Sequence, residues 1–326
     1  MNRKVSIFIL VMMILSTLLF ACNSGQEDDN KKPQIYTPPR LYSNGILPDN
    51  YKIVISDSAS QAEVYAANEL KKYFEKANYT LEIIRDSEPE GDYEIILGKT
   101  NRKEGEDVDF NKLGDEGYYI STEGNDLLIA ANNKRGVLYG VYTYLELLGY
   151  RFYAEGVEKT PDKGDVFVAK DMDYLDIPKF EYREVMNYGT WPADYAVKHK
   201  INSSFMRDDL KNNAKYGGSV GYLPNNKALV HTFEQLVPSS YYSTHPEYFS
   251  EVNGIRKTSQ LCLTNEGVAD VVYNTAVTWI SQNPQQNIIS ISQNDNSEYC
   301  TCTNCTASYE QYGKLGTMIN FVNKIA

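Results

Sequence analysis

Ile288-Ile-Ser-Ile-Ser-Gln-Asn-Asp-Asn296 is followed at once by Tyr299-Cys-Thr-Cys-Thr-Asn-Cys305. A short apolar, β-branched run such as Ile288 to Ser292 reads as a buried strand, and the abrupt change to Asn294, Asp295 and Asn296 sets a carboxylate at its carboxyl end. Barrels of alternating strands and helices carry their catalytic groups at that end. Upstream the same rhythm of strand, loop and helix starts near Phe180. Phe180 to Met186, Ile201 to Met206, Ala228 to Phe233 and Ile288 to Ser292 are the expected strands, with helices near Asp194 to His199 and Gly267 to Ser281. A complete barrel takes about 250 residues, and Phe180 to Ala326 supplies only about half of that. An amphipathic helix begins at Leu315, Met318, Ile319 and Val322, yet the chain reaches Ala326 without a Gly, Asn or Pro stop signal. The expectation is the first half of a TIM-type (β/α)8 barrel over residues 180–326, in a truncated chain.

Before it, residues 46–170 read as a small α/β domain. Tyr51 to Ser56 alternates like a strand, and Ser60-Gln-Ala-Glu63 has capping-box spacing. The helix that follows places Ala62, Ala66, Leu70, Tyr73, Phe74 and Ala77 on one face. Leu81 to Ile84, Tyr93 to Leu97, Tyr118 to Ser121 and Leu127 to Ala130 are short strand candidates separated by Gly, Asp and Asn turns. A second helix runs from Lys134 to Leu148 and stops at Gly149. Asp165 to Ala169 and the polar Asp171 to Pro178 stretch lead into the barrel part.

The amino terminus carries an export signal over residues 1–21: basic Met1-Asn-Arg-Lys4, apolar Val5 to Phe20, then Leu19-Phe-Ala-Cys22, which resembles the lipobox of bacterial lipoproteins. Cys22 is the expected lipidation site, and residues 22–45, with Glu27, Asp28, Asp29 and Pro33, Pro38 and Pro39, form a flexible tether. The mature protein is thus expected outside the cytoplasm, lipid-anchored to a bacterial cell envelope at the outer membrane or cell surface. A net charge of −11 without a basic cluster argues against nucleic acid as partner. Exported proteins that handle sugars stack aromatic rings on them, and the 27 tyrosines suit that role as well as ordinary half-buried packing.

Three stretches together resemble one family. Arg135-Gly-Val-Leu-Tyr-Gly-Val-Tyr-Thr-Tyr-Leu-Glu-Leu-Leu-Gly-Tyr-Arg-Phe-Tyr153 is similar to the end of the domain preceding the barrel in α-glucuronidases and β-hexosaminidases. His245-Pro-Glu-Tyr-Phe249, Asn253-Gly-Ile-Arg256 and Gln260-Leu-Cys-Leu-Thr-Asn265, taken with Ser292 to Asn296 and the cysteine run, resemble the glycoside-hydrolase-like exported lipoproteins grouped as domain of unknown function 4838. The resemblance implies a carbohydrate-active protein that hydrolyses glycosidic bonds, with an oligo- or polysaccharide as partner. The alternatives are a glycan-binding lipoprotein without chemistry, or the remnant of a longer gene.

Glycoside cleavage needs two carboxyl groups unless a substrate acetamido group takes the second role. Asp295 is the expected general acid, Glu298 its rival, and a helix cap or turn the structural alternative for Asp295. Asn294 adjoins the acid, and His231, near the end of the third expected strand, either lines the same mouth or, as the more common role, is a satisfied core or loop histidine. The resemblance to hexosaminidases implies that Arg183, in Tyr182-Arg-Glu184, holds sugar hydroxyls; an ion pair with a neighbouring carboxylate is the other reading. Cys262, Cys300, Cys302 and Cys305 suit either a tetrahedral structural zinc site or two disulfides. No phosphate-cradling loop or nucleotide fingerprint is present, so no catalytic cofactor is expected.

Overall fold

The computed structural model describes residues 45–326 other than 133, 134, 164, 165, 167, 226, 227, 285 and 287. The expected signal segment, Cys22 and all of the tether but Gly45 lie outside these residues. The strands in chain order are β1 (Gly45–Ile46), β2 (Lys52–Ile55), β3 (Glu82–Arg85), β4 (Glu94–Leu97), β5 (Tyr118–Glu123), β6 (Asp126–Ala131), β7 (Arg151–Ala154), β8 (Val157–Lys159), β9 (Val168–Ala169), β10 (Asp173–Asp176), β11 (Phe249–Val252) and β12 (Ile255–Leu261). The helices are α1 (Gln61–Lys76), α2 (Phe110–Leu113), α3 (Arg135–Leu147), α4 (Ala193–Lys198), α5 (Phe233–Leu236), α6 (Glu266–Gln282) and α7 (Thr303–Ile325).

Six strands form the main sheet in the order β10-β5-β6-β4-β2-β3, parallel from β6 to β3 and antiparallel where β5 joins β6 and β10 joins β5. Its central strands are apolar at nearly every position because both faces are covered. Alternation then sorts them: Ile53, Ile55, Ile95, Leu97, Leu127 and Ile129 pack with α1 and α3, whereas Val54, Ile96 and Leu128 pack with Leu113 of α2. Ser60 accepts from the Glu63 amide at 3.2 Å while its own amide donates to Glu63 Oε2 at 2.7 Å, so the expected capping box opens α1. Strand β10 was not expected. Its Asp-Tyr-Leu-Asp sequence reads as a polar connection, and only pairing with β5 makes it an edge strand.

Helix α4 continues the same core, burying Ala193 and Val197 beside Leu210 and Tyr216. Glu158 of β8 ties three elements together, accepting from Tyr73 Oη at 2.7 Å, Lys76 Nζ at 2.5 Å and Lys198 Nζ at 2.5 Å. Burial alone would raise its pKa, but the hydrogen bonds from Lys198, Lys76 and Tyr73 outweigh it and bring the carboxyl from 4.5 down to about 2. A depressed folded-state pKa adds stability that is complete above the unfolded value and fades as pH falls through the folded one. The melting temperature of Glu158→Gln is therefore expected to fall less than that of the native protein on acidification from 4.5 towards 2, a difference a pH series of melts reads directly.

Beyond residue 180, parallel segments lie side by side through single bridges rather than continuous ladders. The Ser203 amide donates to Arg183 O at 3.3 Å, Ser203 pairs with Val220, and Tyr222 pairs with Ile288. Phe180 to Met186 thus lies beside Ile201 to Met206, and Ile201 to Met206 and Ile288 to Ser292 are each parallel to one segment between them, although none is a regular strand. The position between the second and the last belongs to Val220 to Leu223 and not to Ala228 to Phe233. That apolar run bends instead: His231 takes φ +58°, and Thr232 and Phe233 donate to Ser292 O, each at 3.1 Å, before α5 begins. The hairpin β11–β12 is a further correction, turned by Asn253 and Gly254, both with positive φ. A second core joins α5, β11, β12, α6 and α7 through Phe233, Leu236, Phe249, Leu261, Val272 and Phe321. Tyr273, Val277 and Ile280 of α6 and Leu315 and Ile319 of α7 stay exposed. Among the described residues no helix is long and apolar enough to cross a membrane.

Candidate functional site

The segment after Ile288 is held from two sides. Thr232, fully buried, sends its hydroxyl to Ser290 O at 2.9 Å and receives the Ser292 amide at 2.9 Å. From the other side β12 clamps the asparagines. Asn294 Nδ2 donates to Ser259 O at 2.9 Å and Asn296 Nδ2 to the same carbonyl at 3.1 Å, while Gln260 Nε2 reaches Asn294 O at 2.7 Å and Asn296 Oδ1 at 3.0 Å. Gln260 is itself buried, so these bonds are made away from competing water. Asp295, between the two anchored residues, is exposed and makes no hydrogen bond or ion pair among the described residues.

His231 lies beside this loop, its Nδ1 at 3.3 Å from Gln293 O, and its imidazole is exposed. The structure therefore brings His231 beside the loop that carries Asn294 and Asp295. Asn294 serves first as an anchor, although its Oδ1 is buried without a protein partner. Glu298 is held by Lys257 Nζ at 2.6 Å, and that hydrogen bond lowers its pKa. A carboxyl kept ionised in this way is poorly suited to donate a proton.

Arg183 stands elsewhere. Its Nη1 meets Glu116 Oε2 at 2.8 Å, its Nε donates to Lys200 O at 2.6 Å, and its guanidinium lies 5.7 Å from the centre of the Tyr139 ring. Glu116 also binds Arg135 at 2.7 Å and Asn202 at 2.7 Å, so Arg183 fastens the 180–204 region to the main sheet's domain. Alternation along Tyr182-Arg-Glu184 turns its neighbours to the other side. There Tyr182 accepts from Ser203 at 2.9 Å and meets the Tyr222 ring edge-on at 5.2 Å, and Glu184 binds Arg207 at 2.7 Å. One oxygen of Glu184 and the indole nitrogen of Trp191 are buried without a protein partner. Period-two alternation was the signal that could have drawn attention to Glu184 in place of Arg183.

The four cysteines converge. All four sulfurs lie within 4.8 Å of one another, with Cys262 Sγ at 3.7 Å from both Cys302 Sγ and Cys305 Sγ, and none is in a disulfide. Open clefts of about 500 Å³ beside Tyr119 and Leu175 and about 670 Å³ beside Glu69 and Asp194 exclude Asp295, His231, Asn294 and Arg183.

Comparison with known proteins separates the two halves. Residues 47–144 match the glycosyl hydrolase family 67 N-terminus. Alpha-glucuronidase A of Aspergillus tubingensis is 25% identical over 178 residues, 53% of this chain and 20% of that protein. A probable alpha-glucuronidase A of Aspergillus niger is 24% identical over the same shares, so the chain spans about a fifth of the length of these curated relatives. Among solved structures, Flavobacterium johnsoniae chitobiase overlaps with a TM-score of 0.45 at 14% identity, covering 88% of this chain and 50% of that one. A GH115 4-O-methyl-alpha-glucuronidase overlaps with a TM-score of 0.43 at 14% identity, covering 87% and 40%. Residues 152–326, more than half of the chain and including the anchored loop and all four cysteines, match a single family model, and the chain belongs to that family, the domain of unknown function DUF4838.

Proposed function

We propose that this protein acts on oligo- or polysaccharides by hydrolysing glycosidic bonds, with Asp295 protonating the leaving oxygen. The observation that carries the reading is the presentation of Asp295. An exposed carboxylate stands at the carboxyl end of the 288–292 segment, with the asparagine on each side of it bound to β12, so that the loop is pre-set before a sugar arrives. The glycosyl hydrolase family 67 N-terminal match supports the substrate class. His231, exposed beside the loop, would contact sugar hydroxyls, Asn294 would act by anchoring the loop, and Arg183 by holding the two regions together.

Glu298 is tied to Lys257, which leaves Asp295 as the one unpaired carboxylate of this loop among the described residues. Cleavage by Asp295 needs a second group, supplied by the substrate, as an acetamido sugar does, or by a carboxylate outside this loop; without one the site binds without turnover. The test is to incubate the protein with N-acetylglucosaminides and uronate-decorated oligosaccharides, measuring sugar release by chromatography and binding by calorimetry. Release supports hydrolysis, binding alone favours a glycan-binding role, and neither rejects both.

The lipobox-like Leu19-Phe-Ala-Cys22 places the protein, in this proposal, on the cell envelope through lipid at Cys22. Cys22→Ala is expected to abolish incorporation of a labelled fatty acid. Retained label in that variant would remove Cys22 as the lipid site.

A further inference from the structure

Two clusters of chemistry sit against the β11–β12 hairpin: the asparagine-anchored loop and the four cysteines, of which Cys262 follows β12 and the other three follow the loop. Zinc bonded to sulfur at about 2.3 Å in a tetrahedron sets the sulfurs about 3.8 Å apart. The separations of 3.7 Å from Cys262 to Cys302 and to Cys305 fit that edge, and no pair exceeds 4.8 Å. A disulfide needs about 2.05 Å and would draw the group into two separate pairs, whereas here Cys262 Sγ is equally far from two of the other sulfurs and all four gather within 4.8 Å. Donors point at them as well. The Glu251 amide donates to Cys300 Sγ at 3.3 Å, Arg256 Nη1 approaches the same sulfur at 3.7 Å, and Thr264 Oγ1 lies 3.2 Å from Cys305 Sγ. Hydrogen bonds to sulfur of this kind steady metal-bound thiolates. Cys262, Cys300 and Cys305 are 4%, 1% and 0% exposed, a setting in which four thiolates need a cation among them.

We propose that Cys262, Cys300, Cys302 and Cys305 bind one zinc ion, and that this site holds the Asp295 loop in place. Binding converts four thiols to thiolates and releases four protons, with no change of oxidation state. The ion would join the end of β12 to the start of α7, with Cys302 as the residue preceding that helix. The Thr301 hydroxyl, donating to Glu251 O at 2.7 Å, adds a second tie to β11. Loop residues 293–299 lie between the β12 clamp and the metal, so both ends of the segment carrying Asp295 are fixed. The proposal does not depend on glycoside cleavage.

The experiment uses the Cys22→Ser protein, so that only these four thiols count, purified without chelator and analysed for metal and thiols together. The expected result is one zinc per chain and four thiols released when a chelator is added under denaturing conditions. An intact mass lower by four hydrogens with no metal overturns the proposal, because it identifies two disulfides. After anaerobic reduction and zinc removal, cobalt(II) is expected to give the visible bands of a tetrahedral thiolate site; their absence overturns the site. Zinc removal is also expected to speed proteolytic cleavage within 293–299 roughly tenfold. Unchanged cleavage would overturn the positioning role while leaving the site itself intact.

Discussion

Arg207→Met is expected to cost about 3–5 kcal/mol of stability, read as a shift in the urea midpoint, because it strands a buried carboxylate. The Arg207 side chain is 0% exposed. Its Nε donates to Thr190 O at 2.7 Å, its Nη2 to Thr190 Oγ1 at 2.9 Å and Val185 O at 3.2 Å, and its Nη1 to Glu184 Oε1 at 2.7 Å. Methionine fills much of the volume but donates nothing, so three backbone carbonyls, those of Thr190, Val185 and Ser203, lose their charged donor and Glu184, 8% exposed, loses its counter-ion. The double variant Arg207→Met with Glu184→Leu is expected to be less damaged than Arg207→Met alone, since it removes the orphaned charge. A single-variant loss below about 1 kcal/mol, the range of an exposed pair, would show that Glu184 and Arg207 are not a buried unit.

Asp295→Asn is expected to lower kcat on a cleavable glycoside by about 10²–10⁴-fold, the usual contribution of a general acid, with little change in melting temperature. The two expectations have separate grounds. Asparagine keeps the size of the side chain but cannot deliver a proton, and Asp295 has no hydrogen bond or ion pair among the described residues to lose. Glu298→Gln, which breaks only the 2.6 Å pair with Lys257, is expected to leave kcat nearly unchanged. Equal loss in both variants would point to a disturbed loop, and full activity of Asp295→Asn would assign the acid to another group.

The main-sheet domain was legible because its signals are local. The strand expected from Tyr93 to Leu97 appears as Glu94–Leu97 and the helix expected after the Ser60 capping box as Gln61–Lys76, since an apolar period and a cap residue act within a few neighbours. The barrel-like half was harder. Ala228 to Phe233 has strand composition, yet the bonds from Thr232 to Ser290 and Ser292 pull it into a turn, and those partners lie about sixty positions away. The Asn253-Gly254 pair is a hairpin signal carried by two adjacent residues, since both take the positive φ that such a turn needs.

By itself the sequence determined the class, an α/β domain leading into parallel segments, and the four cysteines able to hold a thiophilic metal or form disulfides. It also marked Asp295 by its position after an apolar run. Tertiary structure alone decided what each polar group meets: Arg183 goes to Glu116 across the two regions, Glu298 to Lys257, Glu184 to Arg207, and Asp295 to solvent. The reason is range. Backbone periodicity and capping are set by residues three or four apart, whereas a charged side chain takes the partner that the folded chain happens to carry past it.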